Sequence, residues 1–152
     1  MNITVINRQK DLSIDSKQVV NLFTHLIAYK KLKVDELEVH FVTDSRMKKE
    51  HRVLFDDPSS TDCITCPMDD PYDADLDYCV LGSCLICPKT AVIYAKENAR
   101  DVYNELSLYC VHCFLHLIGF DDIEPEDRKK MRAQEKRCLA YLSKHNALLK
   151  AV

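Results

Sequence analysis

The chain has 152 residues, of which 47% are hydrophobic and 30% are charged, and its formal net charge is −3. This length fits one domain with a sizeable core, so we expect residues 1–152 to form a single domain. The small negative charge excludes a protein that coats nucleic acid through its overall charge, although a local basic patch can still guide a ligand.

The sequence also bears on location. No apolar stretch approaches the roughly 18 residues needed to span a bilayer. Residues 1–10 lack the basic-then-apolar layout of a secretory signal. We therefore expect a cytoplasmic protein with no membrane partner.

The first half of the chain alternates between strand and helix patterns. Residues 3–6 predict a short strand, and Ser13 or Asp15 can cap a helix whose apolar residues recur at helical spacing. Residues 34–43 alternate between apolar and polar side chains, which predicts a strand with one buried face. A short basic helix capped by Asp44 or Ser45 follows, and its cations are Arg46, Lys48, Lys49 and Arg52.

The second half predicts two strands and three helices. A loop at 55–60 precedes a strand at 61–66 that is ended by Pro67, and an acidic loop at 68–77 leads to a central apolar strand at 78–87. The first helix runs from Pro88 to about Arg100, the second is capped by Asp101 and ends near Gly119, and the last opens at 124–127. Together the patterns predict an α+β fold, with a mixed sheet of about four strands packed against about five helices.

Residues 112–122 place two histidines, a glycine and an aspartate at fixed intervals. His112 and His116 stand four residues apart, so a helix puts both imidazoles on one face, where they can bind the same ion. Gly119 tolerates the left-handed conformation that ends a helix, and this turn lets Asp122 approach the ion from a third direction. Two histidine nitrogens and one carboxylate oxygen, with a fourth position open, are typical of catalytic zinc. The sequence therefore predicts a metal-assisted hydrolytic enzyme with His112, His116 and Asp122 as ligands.

Eight cysteines leave open a different class, a binding module held by structural zinc. Cys63-x-x-Cys66 and Cys84-x-x-Cys87 are separated by 17 residues, which fits a four-cysteine zinc pattern. However, Cys84 and Cys87 lie in an apolar run of strand length, where residues i and i+3 face opposite sides. We therefore expect buried, reduced thiols, as is common for free cysteine in the cytoplasm.

The histidine spacing is also similar to the zinc motif of metzincin peptidases. Those enzymes carry a glutamate directly after the first histidine, where it activates the attacking water. This chain has Cys113 at that position, and a thiol is a poor general base at neutral pH unless its pKa is lowered. A metzincin-like zinc peptidase is therefore an alternative hypothesis, because the ligands are present without the base.

The motif resembles that of the YbeY family of bacterial endoribonucleases that process ribosomal RNA. The family signature His-Gly-x-Leu-His-Leu-x-Gly-Tyr-Asp-His is matched by His112, Leu115, His116, Leu117, Gly119 and Asp121, with Phe120 near the family tyrosine. Residues 81–87 resemble the family's Leu-Gly-Asp-Ile-Val-Ile strand, and residues 61–67 resemble its Thr-Asp-Val-Leu-Ser-Phe-Pro segment. The pair His51-Arg52 stands where the family has Tyr-Arg, and the order of elements agrees along nearly the whole chain.

The resemblance implies an α+β fold, one zinc ion per chain and cleavage of single-stranded RNA. The implied role is 16S rRNA 3′-end maturation and ribosome quality control, with ribosomal RNA, the small ribosomal subunit and ribosome-assembly proteins as partners. It assigns His112 and His116 as metal ligands and gives Arg52 a catalytic role. Asp122 replaces the family's third histidine, and since a carboxylate is a harder ligand, another divalent ion can take the place of zinc. A non-enzymatic zinc-containing ribosome-assembly factor is the remaining alternative.

Overall fold

The computed structural model describes residues 1–55 and 61–152. Within them the elements are β1 (Asn2–Asn7), α1 (Ser16–Tyr29), β2 (Glu36–Phe41), α2 (Asp44–Phe55), β3 (Cys63–Pro67), β4 (Val80–Ile86), α3 (Pro88–Glu97), α4 (Val102–Leu117) and α5 (Pro125–Lys144). These elements confirm the predicted α+β fold, since the described residues form four strands and five helices. None of the described helices combines the length and the apolar composition that crossing a bilayer requires.

The four strands form one mixed sheet in the order β1-β2-β4-β3. β1, β2 and β4 are mutually parallel, whereas β3 runs antiparallel to β4 at the edge. Pro67 remains within β3, where it pairs with Gly82, although the sequence pattern ended the strand before it. An edge strand tolerates proline because one of its sides has no ladder partner.

β2 shows how its sequence sorts side chains between the two faces of the sheet. Leu37, Val39 and Phe41 are buried in the main core, as the alternating pattern predicts. Glu38 and His40 lie on the other face, where the His40 imidazole and the Glu38 carboxylate form a 2.7 Å hydrogen bond. A one-residue shift of register would exchange these two sets, so the alternation fixes the register.

The core has two parts, one on each face of the sheet. The main part packs α1, α4 and α5 against the strands, with Phe23, Phe41 and Phe114 among its largest fully buried side chains. A smaller cluster lies beneath α2 and consists of Val42, Met47, Ile64 and Cys87. Thus α2 and α4 belong to different core clusters, and each contributes residues near the edge strand β3.

The strand bounds differ from the predicted ranges by one or two residues at their ends, and the ends of two helices differ as well. α3 ends at Glu97 rather than near Arg100, because Asn98 caps the helix and Ala99 adopts a left-handed conformation with φ 51°. The loop predicted at residues 55–60 overlaps α2 at Phe55, which is the last residue of that helix. Its remainder, residues 56–60, lies outside the described residues.

Candidate metal centre

α4 presents both histidines of the motif. The Asp101 carboxylate caps its first turn by accepting hydrogen bonds from the backbone N–H groups of Tyr103 and Asn104, at 2.9 and 3.0 Å. His112 and His116 lie one turn apart on the half-buried side of the helix, with their ring centroids 4.5 Å apart and the rings nearly perpendicular. The fully buried residues around them pack the helix against the core, so the backbone that carries both imidazoles is held in place.

The chain turns back directly after α4. The N–H of Gly119 donates to the His116 carbonyl at 3.1 Å, and the N–H of Phe120 donates to the Leu115 carbonyl at 2.9 Å. These two bonds are those of a Schellman motif, which requires a left-handed residue, and Gly119 has φ 108°. The turn returns Asp122 to the histidines.

Three side-chain atoms converge at this turn. Nε2 of His112 lies 3.0 Å from Nε2 of His116, and Oδ2 of Asp122 lies 3.4 and 3.6 Å from these two nitrogens. Ligand atoms at about 2.0–2.1 Å from a tetrahedral ion stand roughly 3.3–3.4 Å apart, so the three observed separations bracket the required value. Among the described residues this is the one group of three or more ligand-type side chains compact enough to hold a metal ion. Its size and chemistry fit a divalent cation.

A fourth residue, Glu135 on α5, supports His112. The Glu135 carboxylate accepts a 2.7 Å hydrogen bond from Nδ1 of His112, which leaves the Nε2 lone pair of the neutral ring available to an ion. Burial lowers the pKa of His112, but the hydrogen bond and charge of Glu135, with the charges of Asp62 and Asp122, outweigh burial and raise it. The negative charge collected around this imidazole favours a cation.

The sequence contains a signal for Glu135 that the spacing of the motif does not reveal. The apolar stripe of α5 consists of Met131, Cys138 and Leu142, which are all buried. Glu135 lies on that stripe, four residues after Met131 and three before Cys138, where an unpartnered carboxylate would be costly. An acid on the buried stripe of a helix therefore indicated a partner on another element.

We expect Glu135→Gln to weaken metal binding by about 10- to 100-fold, because the amide carries no charge and holds the His112 ring less firmly. Titrating the metal-stripped variant with Zn²⁺ in a calorimeter measures the change. Gln134→Glu is a control, because Gln134 is the neighbouring residue on α5 and its amide oxygen accepts a hydrogen bond from Lys30. An unchanged affinity in Glu135→Gln would show that this hydrogen bond does not support the site.

A cleft of about 350 Å³ opens beside the three convergent atoms. Its lining comes from α2, β3 and its preceding residues, α4 and the turn after α4; these residues are His51, Phe55, Thr61, Asp62, Cys63, Ile64, Thr65, His112, His116, Asp121, Asp122 and Ile123. One Asp62 oxygen accepts hydrogen bonds from the Cys63 N–H at 2.9 Å and the Thr61 hydroxyl at 3.3 Å, which fixes the carboxylate at the wall. A volume of this size lies in the range of pockets that bind small ligands, and both histidines form part of the lining.

Arg52 lies on a neighbouring face of α2. It is exposed, and it lines a shallow depression with Ser45, Lys48 and Lys49 rather than the cleft. The adjacent residue His51 is the one that lines the cleft, because successive helical residues point about 100° apart. The structure therefore brings His112, His116 and Asp122 together and leaves Arg52 outside that group.

The cysteines do not form a four-thiol site. All eight are free; Cys63 and Cys66 are half-buried and the other six are buried. The thiols of Cys63 and Cys84 each lie within hydrogen-bonding reach of Cys113, on the side of α4 that faces the sheet. Burial and these neighbouring thiols raise the pKa of Cys113 well above its usual value, so it stays protonated at neutral pH.

The fold and the His-His-Asp group define an α+β protein with a site for a divalent metal ion. The family model for endoribonuclease YbeY matches residues 4–143. Endoribonuclease YbeY of Chlamydia felis is 38% identical over 152 residues, covering 98% of this chain and 96% of that protein. The Chlamydia trachomatis serovar D protein of the same name is 37% identical over 149 residues, with 97% and 92% covered. The chain therefore belongs to the endoribonuclease YbeY family.

A solved structure shares the fold. The solution structure of TM1509 from Thermotoga maritima aligns with a TM-score of 0.65, covering 96% of this chain and 93% of that one. At 22% sequence identity this likeness bears on the fold alone.

Proposed function

We propose that residues 1–152 act as one domain, a metal-dependent endoribonuclease that cuts single-stranded RNA. The observation that carries the proposal is the convergence of His112 Nε2, His116 Nε2 and Asp122 Oδ2, at separations of 3.0, 3.4 and 3.6 Å, beside an open cleft. Chlamydia proteins that are 37–38% identical to this chain are named endoribonucleases, which supports RNA as the substrate.

His112, His116 and Asp122 would hold the ion, and Glu135 would orient His112. A divalent ion bound there supplies positive charge to a phosphate oxygen and makes a water molecule easier to deprotonate. We favour zinc, because two imidazoles suit that ion, while the Asp122 oxygen also admits harder ions such as Mn²⁺.

The residues of the cleft wall can handle the protons. Asp62 is held in place by its two hydrogen bonds and can accept a proton from the attacking water. His51 and Asp121 also line the cleft and can deliver a proton to the leaving oxygen. The chain thus supplies acid and base groups within one cavity.

We propose that Arg52 binds a phosphate of the RNA at the border of the cleft, next to His51. The guanidinium presents a planar set of donors that matches phosphate oxygens, and it strengthens its hold as negative charge builds. Lys48 and Lys49 line the same depression as Arg52 and extend the positive surface along α2.

Arg52→Ala is expected to lower the cleavage rate by about 100-fold while the metal content stays unchanged, because the side chain touches the substrate and not the ion. Single-turnover cleavage with metal analysis of the same samples measures both quantities. Lys49→Ala is the matched control on this depression, with a smaller expected loss. Equal losses of metal and activity in Arg52→Ala would contradict the role.

The peptidase alternative is disfavoured by the position of Cys113. A metzincin needs a general base directly after its first histidine, within reach of the attacking water. Cys113 occupies that position but is fully buried and does not line the cleft, and burial and the neighbouring thiols raise its pKa. Family membership favours the nuclease further.

Incubation with a single-stranded RNA, the matching duplex and casein tests the function. We expect cleavage of the single strand only, loss of cleavage on metal chelation, and recovery when Zn²⁺ or Mn²⁺ is returned. Cleavage of casein instead of RNA would overturn the nuclease in favour of a peptidase, and cleavage of none of the three substrates would favour a non-enzymatic assembly factor.

We extend the proposal to a cytoplasmic role in 16S rRNA 3′-end maturation and ribosome quality control, with the small ribosomal subunit as partner. Membership of the endoribonuclease YbeY family supports this role, because the resemblance to that family implies processing of ribosomal RNA. Accumulation of 3′-extended 16S precursor in cells depleted of the protein, corrected by wild type and not by His116→Ala, is the expected result.

A further inference from the structure

One face of α2 changes from buried to exposed along its length. Met47, His51 and Phe55 are spaced four residues apart, so they form a single stripe. Met47 is fully buried beneath the helix, His51 is half-buried, and Phe55 is 59% exposed. The stripe leaves the core and enters the cleft, where His51 and Phe55 both form part of the lining.

Phe55 presents an aromatic ring to the cavity that holds the metal ligands. Its ring centroid lies 5.1 Å from that of His51, and the two planes are inclined by 55°, so the imidazole supports the phenyl ring from one side. Ile123, on the turn after α4, is 71% exposed and lines the same cleft. Exposed apolar groups beside a polar site often mark the place where a ligand binds.

The surroundings restrict which ligand can cover this ring. The cleft is otherwise polar, because Thr61, Asp62, Asp121 and Asp122 line it together with the histidines. A suitable ligand therefore has a flat face that can stack on the Phe55 ring. It also has an anionic group that can bind at the cation site and beside the basic surface of α2. A nucleotide combines both features, and stacking on aromatic side chains is how proteins commonly bind unpaired bases.

We propose that Phe55, supported by His51, is a nucleobase-stacking subsite that binds an unpaired base of the RNA while a nearby phosphate occupies the metal centre. This inference rests on the proposed endoribonuclease function and adds a source of its preference for single strands. In a duplex the bases stack on one another and do not offer their faces, so paired RNA cannot use Phe55. The subsite tolerates any base, because each base has a flat aromatic face.

Binding of a 2′-O-methyl single-stranded oligonucleotide, measured by fluorescence anisotropy with Zn²⁺ present, tests the subsite. Phe55→Ala is expected to weaken binding by about 5- to 150-fold, the range that loss of one stacked base produces. Phe55→Tyr retains the ring and should bind within about twofold of wild type. Leu54→Ala is the matched control: Leu54 is 51% exposed on the same turn of α2 but does not line the cleft, so its loss should leave binding unchanged.

A set of oligonucleotides with one abasic position each completes the test. At one position, removal of the base should weaken binding to wild type by the same factor as Phe55→Ala, and should have no added effect in that variant. Equal weakening by Phe55→Ala and Leu54→Ala, or additive losses at every abasic position, would overturn the subsite. The cleavage assay separates the two proposals: if wild type and Phe55→Ala cut RNA equally well, the subsite fails while the nuclease stands. If wild type cuts no RNA, the nuclease fails, and the anisotropy result alone decides the subsite.

Discussion

His116→Ala is expected to abolish both metal retention and RNA cleavage while leaving the fold intact. His116 carries one of the three ligand-type atoms that converge among the described residues, and its Nε2 lies 3.0 Å from His112 Nε2 and 3.6 Å from Asp122 Oδ2. Loss of a direct ligand should exceed the roughly 10- to 100-fold effect that loss of a supporting partner causes. Metal analysis and single-turnover cleavage of the same preparation measure the two losses.

The control is His40→Ala, which removes a histidine from the exposed face of β2, where its partner is Glu38. We expect this variant to keep its metal and its activity. If His116→Ala retains one tightly bound ion per chain, the metal lies elsewhere, and a thiol site becomes the better explanation.

Gly82→Ala is expected to lower the free energy of unfolding by about 2–5 kcal/mol, combining backbone strain with overpacking. Gly82 lies in β4 with φ 139°, a conformation that side chains disfavour. A Cβ atom there would clash with the backbone carbonyl oxygen of Cys66 in β3, and it would lie 3.1 Å from Cδ2 of Leu117 in α4. The backbone of β3 at Cys66 and that of β4 at Gly82 cannot move apart without disturbing the pairing of the two strands. Urea unfolding should therefore show a large shift of midpoint.

Gly119→Ala provides the comparison for that prediction. Gly119 has φ 108°, but a Cβ atom there would meet nothing within 4 Å, so only backbone strain of about 1–3 kcal/mol is expected. Because Gly119 forms the turn between His116 and Asp122, its substitution should weaken metal binding more than Gly82→Ala does. The prediction is wrong if Gly82→Ala is as stable as wild type, or if Gly119→Ala is the less stable of the two.

Local patterns were sufficient for most of the elements. The alternation of β2 placed Leu37, Val39 and Phe41 inward, and Asp101 was identified as the cap of α4, because both depend on neighbours within a few residues. The turn at Gly119 was also predictable from the sequence, because its hydrogen bonds join residues that lie within six positions of one another.

Features that depend on distant residues were beyond the sequence patterns. The place of Glu135 on the buried stripe of α5 indicates that it has a partner, but no spacing rule identifies that partner as His112, which lies 23 residues away on another helix. The cleft is lined by both α2 and α4, which belong to different core clusters. His51 and Phe55 come close to the two histidines only because the order of strands in the sheet brings these helices together. Arg52 was assigned by resemblance, and its place outside the cleft follows from one helical step beyond His51.

Titration of the metal-stripped wild type with Zn²⁺, followed by calorimetry and by cleavage of single-stranded RNA in parallel, tests whether an ion at the His-His-Asp group drives the cleavage. We expect that about one ion binds per chain, that cleavage rises in proportion to occupancy, and that Asp122→Ala shifts both curves together. Cleavage that is fully active before any ion is added, or binding that Asp122→Ala leaves unchanged, would contradict it.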